Sequence, residues 1–452
     1  MILVIDNNNN MLFYEHVMRK WKDSYNLVSM FLTFSDEKDR YLKDQNINSI
    51  CLKNIESKSI NAKELISNIE KKFDEFTLNQ CIANDRILSH YSFEKASNIL
   101  LDYAGRFSEV LKKNEIKLVC GEISWGVEYL FNYICRYNEI KYIDPLNVYA
   151  SSDLRLTFFD EKHSDLYMNE ILESANSVID VQGIVEDRKN NDVNKKLGSK
   201  LRNLGYKSWF KKIKFLIKYK DKYDYRYDLL LKKKTIKKLL NKKLISLIKK
   251  VIYTDINLAQ KFYYMPLHIQ PEATPDIVSI FYNDQLMLIK QLAKALPIDT
   301  KLVVKEHPNG VGARSIKELN TIRNMNNVIL SDHSYSSKSL IENALGVITI
   351  AGTAAIEARY MNKPVIVFSE IYFKNKLDHI YQCYNFNELP GLLNLFLVEK
   401  NFQETKINSF IEWIYTSSHD CYIYDPFIDE NILLNENIKT FGKAVFDFYK
   451  KQ

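Results

Sequence analysis

Between residues 263 and 370 the chain repeats one pattern: a short apolar run, a cluster of polar residues, then a segment with helical spacing of apolar side chains. The run at 262–269 leads into Pro266-Leu-His-Ile-Gln-Pro-Glu272. That at 301–305 leads into Lys305-Glu-His-Pro308, and that at 346–350 into Gly352-Thr-Ala-Ala-Ile-Glu357. Further strands are expected at 328–331 and 364–368, with helices over 283–296, 337–344 and 353–361. Runs that are apolar throughout, without alternation, suit strands buried on both faces, as in a parallel sheet covered by helices. Such sheets bind ligands at the carboxyl ends of their strands. The spacing therefore predicts one crevice lined by His268, Gln270, Glu272, Lys305, His307 and the loop at Gly352.

At 452 residues the chain is long enough for two such domains plus extra elements. The low counts of Gly (12) and Pro (9) argue against disordered and fibrous classes. A second βαβ rhythm opens the sequence. Strands are expected at 2–6, at 117–122 (ending in Gly121-Glu122) and at 141–145, with a helix over 124–138. The organisation read from this is α/β, with two doubly wound, Rossmann-like domains. Residues 1–185 form the first, 186–255 a basic helical insertion or linker, 256–400 the second, and 401–452 helices that return to the first domain. The six cysteines contain no Cys-x-x-Cys pair and read as free thiols in a reducing compartment. The N-terminus begins as a strand without the basic flank and apolar core of a leader peptide. No apolar run approaches the roughly 18 residues that span a bilayer. A cytoplasmic location, peripheral on a membrane, is the expectation.

The formal charge of +7 joins two opposed parts. Residues 186–250 hold 23 Lys/Arg against 6 Asp/Glu, so they carry +17 and the remainder −10. Within this segment, 209–217 and 229–251 place apolar residues three and four apart with lysines between them. This is either a solvated helical excursion or an attachment to an anionic membrane face, where clustered lysine gains about 1 kcal/mol per charge. Nucleic acid is not expected as a partner, because no zinc-finger, RNA-recognition or helix-turn-helix signature accompanies the charge.

Lys305 and His307 stand at i and i+2 of an extended chain, on one side of it, where both could reach one anion. Pro308 stops the strand. The small residues after Gly352 permit a tight strand-to-helix turn whose N–H groups attract anions. Thr353 could add a hydroxyl or cap the helix, and Glu357 could accept from ribose hydroxyls. Two prolines stiffen the loop that holds His268, Gln270 and Glu272. Glu122 could face a cleft or simply end its strand. No Gly-x-Gly-x-x-Gly, Walker or Gly-x-Ser-x-Gly motif occurs, which counts against NAD(P), ATP-hydrolysing and serine-hydrolase chemistry. The histidines are dispersed and no Asp-x-Asp ends a strand, so neither a metal nor another cofactor is expected.

The marks Gln270-Pro271, His307-Pro308 and Gly352-Thr353 before Lys363-Pro-Val365 resemble the bacterial capsule polysaccharide biosynthesis family, which includes the Kdo transferases. Asp284-Gln285-Leu286 strengthens the likeness, and the piece from Gly121 to Trp125 echoes it loosely. The resemblance implies a GT-B-like glycosyltransferase that takes a CMP-activated nonulosonic acid such as Kdo, pseudaminic or legionaminic acid. It implies transfer without metal onto a glycan or lipid-linked glycan, at the inner face of the cytoplasmic membrane. By the same resemblance His307 and Lys305 bind the CMP phosphate, and the Gly352 loop binds the phosphate or cytidine. Charge growing on departing CMP would be stabilised by these groups. The sugar carboxylate would find Arg314 or His268, and Glu272 would serve as nucleophile or base, with Glu122 and His268 as further catalytic candidates. The alternatives are a GT-B enzyme using a UDP- or GDP-sugar and a non-catalytic polysaccharide-binding scaffold.

Overall fold

The computed structural model describes residues 1–6, 10–57, 61–149, 154–159, 183–184, 214, 218, 221, 223–227, 229–270 and 272–451. The 209–217 stretch lies outside them except for Lys214. The described residues of Met1–Ser177, Val193–Asp228 and Ile414–Gln452 form one compact unit, and those of Val178–Asp192 and Leu229–Trp413 a second.

In unit 1 the strands are β1 (Ile2–Ile5), β2 (Ser29–Thr33), β3 (Ser49–Cys51), β4 (Leu118–Cys120), β5 (Lys141–Tyr149) and β6 (Leu154–Phe159). They lie in the order β3-β2-β1-β4-β5-β6, parallel except for β6, which runs antiparallel to β5. The helices are α1 (Met11–Tyr25), α2 (Asp36–Asp44), α3 (Ala62–Lys72), α4 (Leu78–Ala83), α5 (Phe93–Lys113) and α6 (Gly126–Tyr137). All of β1 is buried, as a strand covered on both faces must be. Local sequence sets the helix starts. Ser35 caps α2 by accepting from the Lys38 amide, and Thr77 with Gln80 forms a capping box on α4.

Unit 2 repeats the plan. Strands β7 (Phe262–Pro266), β8 (Lys301–Lys305), β9 (Val328–Ser331), β10 (Val347–Thr349), β11 (Val365–Val367) and β12 (Ile380–Gln382) are all parallel, in the order β12-β11-β10-β7-β8-β9. Helices α7 (Leu229–Leu247) and α8 (Lys249–Ile252) precede the sheet. Then follow α9 (Gln285–Ala295), α10 (Ile316–Arg323), α11 (Ser337–Asn343), α12 (Ala354–Tyr360), α13 (Leu389–Val398) and α14 (Ile407–Thr416). Asp284 caps α9, and Ser315 with Glu318 boxes the start of α10. Two doubly wound sheets in one chain are the α/β class that the strand pattern predicts. The antiparallel β6 and the short β12 carry no comparable polar mark and escaped the sequence reading.

The last helix, α15 (Asn435–Lys450), belongs to unit 1 and packs on α1. Trp21 is fully buried there and its indole N–H donates to Gly442 O at 2.8 Å. Phe13 meets Phe441 edge to face at 4.9 Å. A Cβ at residue 442 would lie 3.4 Å from Trp21 Nε1, in ordinary contact with the ring. Trp21→Ala should therefore cost about 3–5 kcal/mol in a urea titration, the scale for emptying a large aromatic site. A loss below about 1 kcal/mol would show that α15 is not held by this contact.

Candidate functional site

The order of unit 2 puts its first strand, β7, in the middle of the sheet. The chain steps from β7 to β8 and β9 on one side, then returns to β10, β11 and β12 on the other. Loops leaving β7 and β10 diverge, and the opening between them is the switch point where doubly wound sheets bind ligands. His268, two residues beyond β7, stands in it. Its Nε2 lies 3.1 Å from Oγ1 of Thr349, the last residue of β10, and that hydroxyl also reaches Ala351 O at 2.8 Å. Gly352 follows with φ +102°, and a Cβ there would come 3.2 Å from His268 Cε1. Only glycine accepts both the left-handed backbone and the ring against it. Burial, aided by the positive field of Arg314 and by His307, pushes the His268 imidazole down to about 4. At neutral pH it is an uncharged hydrogen-bonding group. Of the two cation candidates for a carboxylate, Arg314 is the charged one.

The polar loop after β7 is mostly occupied with itself. Gln285, at the start of α9, accepts from the His268 amide at 2.8 Å and donates to Gln270 Oε1 at 2.6 Å. Gln270 spends both amide hydrogens, on Asp276 Oδ1 and on Asn283 O, each at 2.9 Å. Asp276 sits in a π turn, Thr274–Val278, and its other oxygen accepts the Glu272 amide at 2.9 Å. Gln270, expected to touch substrate, has both its donors used within the loop. Pro271 lies outside the described residues, and Glu272 is exposed.

Beyond β8 the expected pair divides. Lys305 donates to Ser337 Oγ at 2.5 Å, and its charge acts on His333 beyond β9. His307 accepts the Asn309 amide on Nδ1 at 3.1 Å, so the neutral ring carries its proton on Nε2 as a donor. Its field is felt at His268. The i, i+2 geometry predicts one shared anion, but in the structure Lys305 turns toward β9 and His307 toward β7. Between them Glu306 is fully buried, accepting from Tyr253 Oη at 2.8 Å and facing Arg314 Nη1 at 3.9 Å. Arg314 Nη2 then donates to His268 O at 3.2 Å, tying the loop after β8 to the loop after β7. Tyr253, Asp276 and Ser337 escaped the motif reading, and Glu306 and Gln285 entered it only as members of their motifs, with no role assigned. Buried polar groups that bond across elements carry no local periodicity by which to find them.

Thr353 makes no side-chain cap, and Glu357 is half-buried on α12, a helix of only seven residues. Glu122 belongs to unit 1, past β4, where Asn10 Nδ2 donates to it at 3.4 Å. The corresponding switch point there, between β1 and β4, holds ion pairs. Lys38 Nζ lies 2.6 Å from Asp6, both fully buried. Arg226 donates to Asp6 O at 3.0 Å and to Glu128 Oε1 at 2.7 Å, and it pairs with Asp224 at 2.9 Å. Among the described residues no group of three His, Cys, Asp or Glu side chains could share a metal ion, and all six cysteines are buried free thiols.

The depressed His268 value has a thermodynamic consequence. The folded state resists a proton that the unfolded chain accepts from about pH 6.5 downward. Stability is therefore intact above that pH and lost as pH falls toward 4, by about 3 kcal/mol from this residue at full development. His419 titrates in the same window, so the comparison must be with a variant. His268→Gln should flatten the acid limb of the stability profile by roughly that amount. An unchanged limb would place the protonated imidazole in the folded state.

Residues 216–376 match the family model described as "Capsule polysaccharide biosynthesis protein". No curated protein matches the sequence. Similar solved structures include the beta-Kdo 2,7 transferase KpsC of Thermosulfurimonas dismutans, at 12% identity and TM-score 0.32, covering 69% of this chain and 88% of that one. A glycosyltransferase from Rickettsia africae is similar at 12% identity and TM-score 0.28, covering 97% and 98%. The UDP-GlcNAc 2-epimerase of Methanocaldococcus jannaschii is similar at 11% identity and TM-score 0.27, covering 92% and 98%. At these values none of the three bears on activity. The family match covers β7, β8 and β10 with the loops that hold His268, His307, Arg314 and Gly352, so the resemblance to capsule polysaccharide biosynthesis proteins extends over residues 216–376.

Proposed function

We propose that the chain is a glycosyltransferase that moves a nonulosonic acid from its CMP-activated form onto a glycan or lipid-linked glycan, without a metal ion, at the inner face of the membrane. The observation that carries this reading is the convergence of His268, His307 and Arg314 with Gly352 around the switch point of unit 2. In the reaction the bond from the sugar's anomeric carbon to the CMP phosphate breaks, and a bond to the acceptor oxygen forms. The electron pair leaves with CMP, and the acceptor proton passes to a base. The guanidinium of Arg314 supplies the positive field in which a phosphate or the sugar carboxylate sits, the Nε2–H of His307 supplies a hydrogen-bond donor, and neutral His268 adds hydrogen bonding without charge. Donors held in place before reaction stabilise the growing charge at little reorganisation cost. Glu272 is exposed on the loop after β7, which suits a carboxylate that must meet an incoming acceptor. In unit 1, Glu122 stands at the other switch point as the alternative carboxylate, on the side we assign to the acceptor.

Two measurements test this. His307→Ala should weaken CMP binding or transfer by about 2–4 kcal/mol, the scale for losing a charge-stabilising donor. Parent affinity and turnover in that variant would remove His307 from the site. Glu272→Gln should bind the CMP-sugar like the parent and turn over at a small fraction of its rate, with EDTA leaving the parent unaffected. Retained transfer would shift the role to Glu122. A donor panel decides the class. Turnover with UDP- or GDP-sugars alone overturns the CMP assignment, and no turnover with any donor favours a polysaccharide-binding scaffold.

A further inference from the structure

Residues 229–254 contain nine lysines and no acidic residue. The helix they build, α7 with its continuation α8, has two unlike faces. The inner face buries Ile245 and Ile252 in the core of unit 2. It also grips the turn that follows His307. Lys238 Nζ donates to Asn309 O at 2.7 Å, and Asn241 Nδ2 to Gly312 O at 3.2 Å. Gly312 adopts φ +87°, and a Cβ there would fall 2.4 Å from Lys238 O and 2.8 Å from Lys242 N. The backbones of helix and turn are in direct contact, which glycine alone permits.

The outer face is apolar and open. Ile236, Leu239, Leu240, Leu244, Leu247 and Val251 recur at helical spacing opposite Ile245, and their exposure runs from 45% at Leu244 to 76% at Leu247. Lys237, Lys242, Lys243 and Lys250 are exposed around them. An apolar stripe of this size, rimmed by charge of one sign, marks a surface made to be covered. An anionic lipid surface fits it. The leucines enter the headgroup boundary and the lysines meet the phosphates. A second copy would set the same lysines against each other with no acidic residue in either stripe. Among the described residues no helix is long and apolar enough to cross a membrane, so the helix lies in the interface plane.

We infer that the α7–α8 stripe seats on an anionic bilayer and, through Gly312, steadies the turn that carries His307 and Arg314, so that membrane engagement orders the donor loop. The coupling rests on the donor-site reading above; the attachment does not. The test uses the full chain with phosphatidylglycerol-containing vesicles and with pure phosphatidylcholine vesicles. The parent should sediment with the first at low salt and not with the second, and added salt should release it. Amide exchange across 306–314 should slow when the anionic vesicles are added. The triple variant Leu240→Gln, Leu244→Gln, Leu247→Gln alters only exposed side chains. It should lose about tenfold or more in vesicle partition, show no slowing of exchange, and bind CMP in vesicle-free solution like the parent. Sedimentation undiminished in the variant, or absent in the parent, overturns the attachment. A parent dimer that the variant abolishes assigns the stripe to a second copy and overturns it too. Vesicle binding without slower exchange overturns the coupling. None of these readouts involves CMP transfer, so a wrong donor assignment leaves them standing and is exposed separately by the donor panel.

Discussion

A parallel strand cannot be joined to its neighbour by a tight turn, so every connection in unit 2 is a crossover, and the position of β7 decides where crossovers leave a gap. β7 is first in its sheet by sequence and central by position. Chain leaving it moves toward β8, while chain leaving β10 moves the other way. His268, Thr349 and Gly352 meet at the ends of these two strands because no connection passes between them. Had β10 been added beyond β9, the polar marks after β7 and β10 would lie three strands apart.

The charges around that gap are arranged by burial more than by pairing. Glu306 holds Arg314 loosely, at 3.9 Å, while Arg314 reaches across to the His268 carbonyl. Burial and the same guanidinium keep His268 neutral. Gln270 and Gln285 hold the loop in place by side-chain amide hydrogen bonds, one of them to the Asp276 carboxylate. Gln270 therefore frames the loop after β7, while Arg314 and His307 are the groups that the proposed function assigns to a ligand's charge.

The two units use one topology differently. In unit 1 the chain's own Arg226 lies against Asp6, Glu128 and Asp224 at the ends of β1 and β4. A buried pair of this kind adds little net stability, but losing one partner would strand a charge. It ties the 223–227 stretch to the first sheet just before α7 begins in the second unit.

The sequence alone was enough to place strands β7, β8 and β10 and to end them at polar clusters, because a strand covered on both faces must be apolar along its length, and that requirement is local. The caps Asp284, Ser315 and Ser336 are local features too, since each bonds an amide only three residues away, but the sequence reading did not single them out as caps. Which loops meet was decided by the tertiary structure. Lys305 and His307 share one side of an ideal strand, yet Ser337 and Asn309 draw them apart, and those partners come from separate parts of the chain. Glu306 lies between two recognised residues and looked like filler until Tyr253 and Arg314 closed on it. The basic segment read as either an excursion or a membrane attachment, because its charge is visible in sequence and its grip on Gly312 is not. Local periodicity records whether a side chain is buried; only the packed sheet determines what it is buried against.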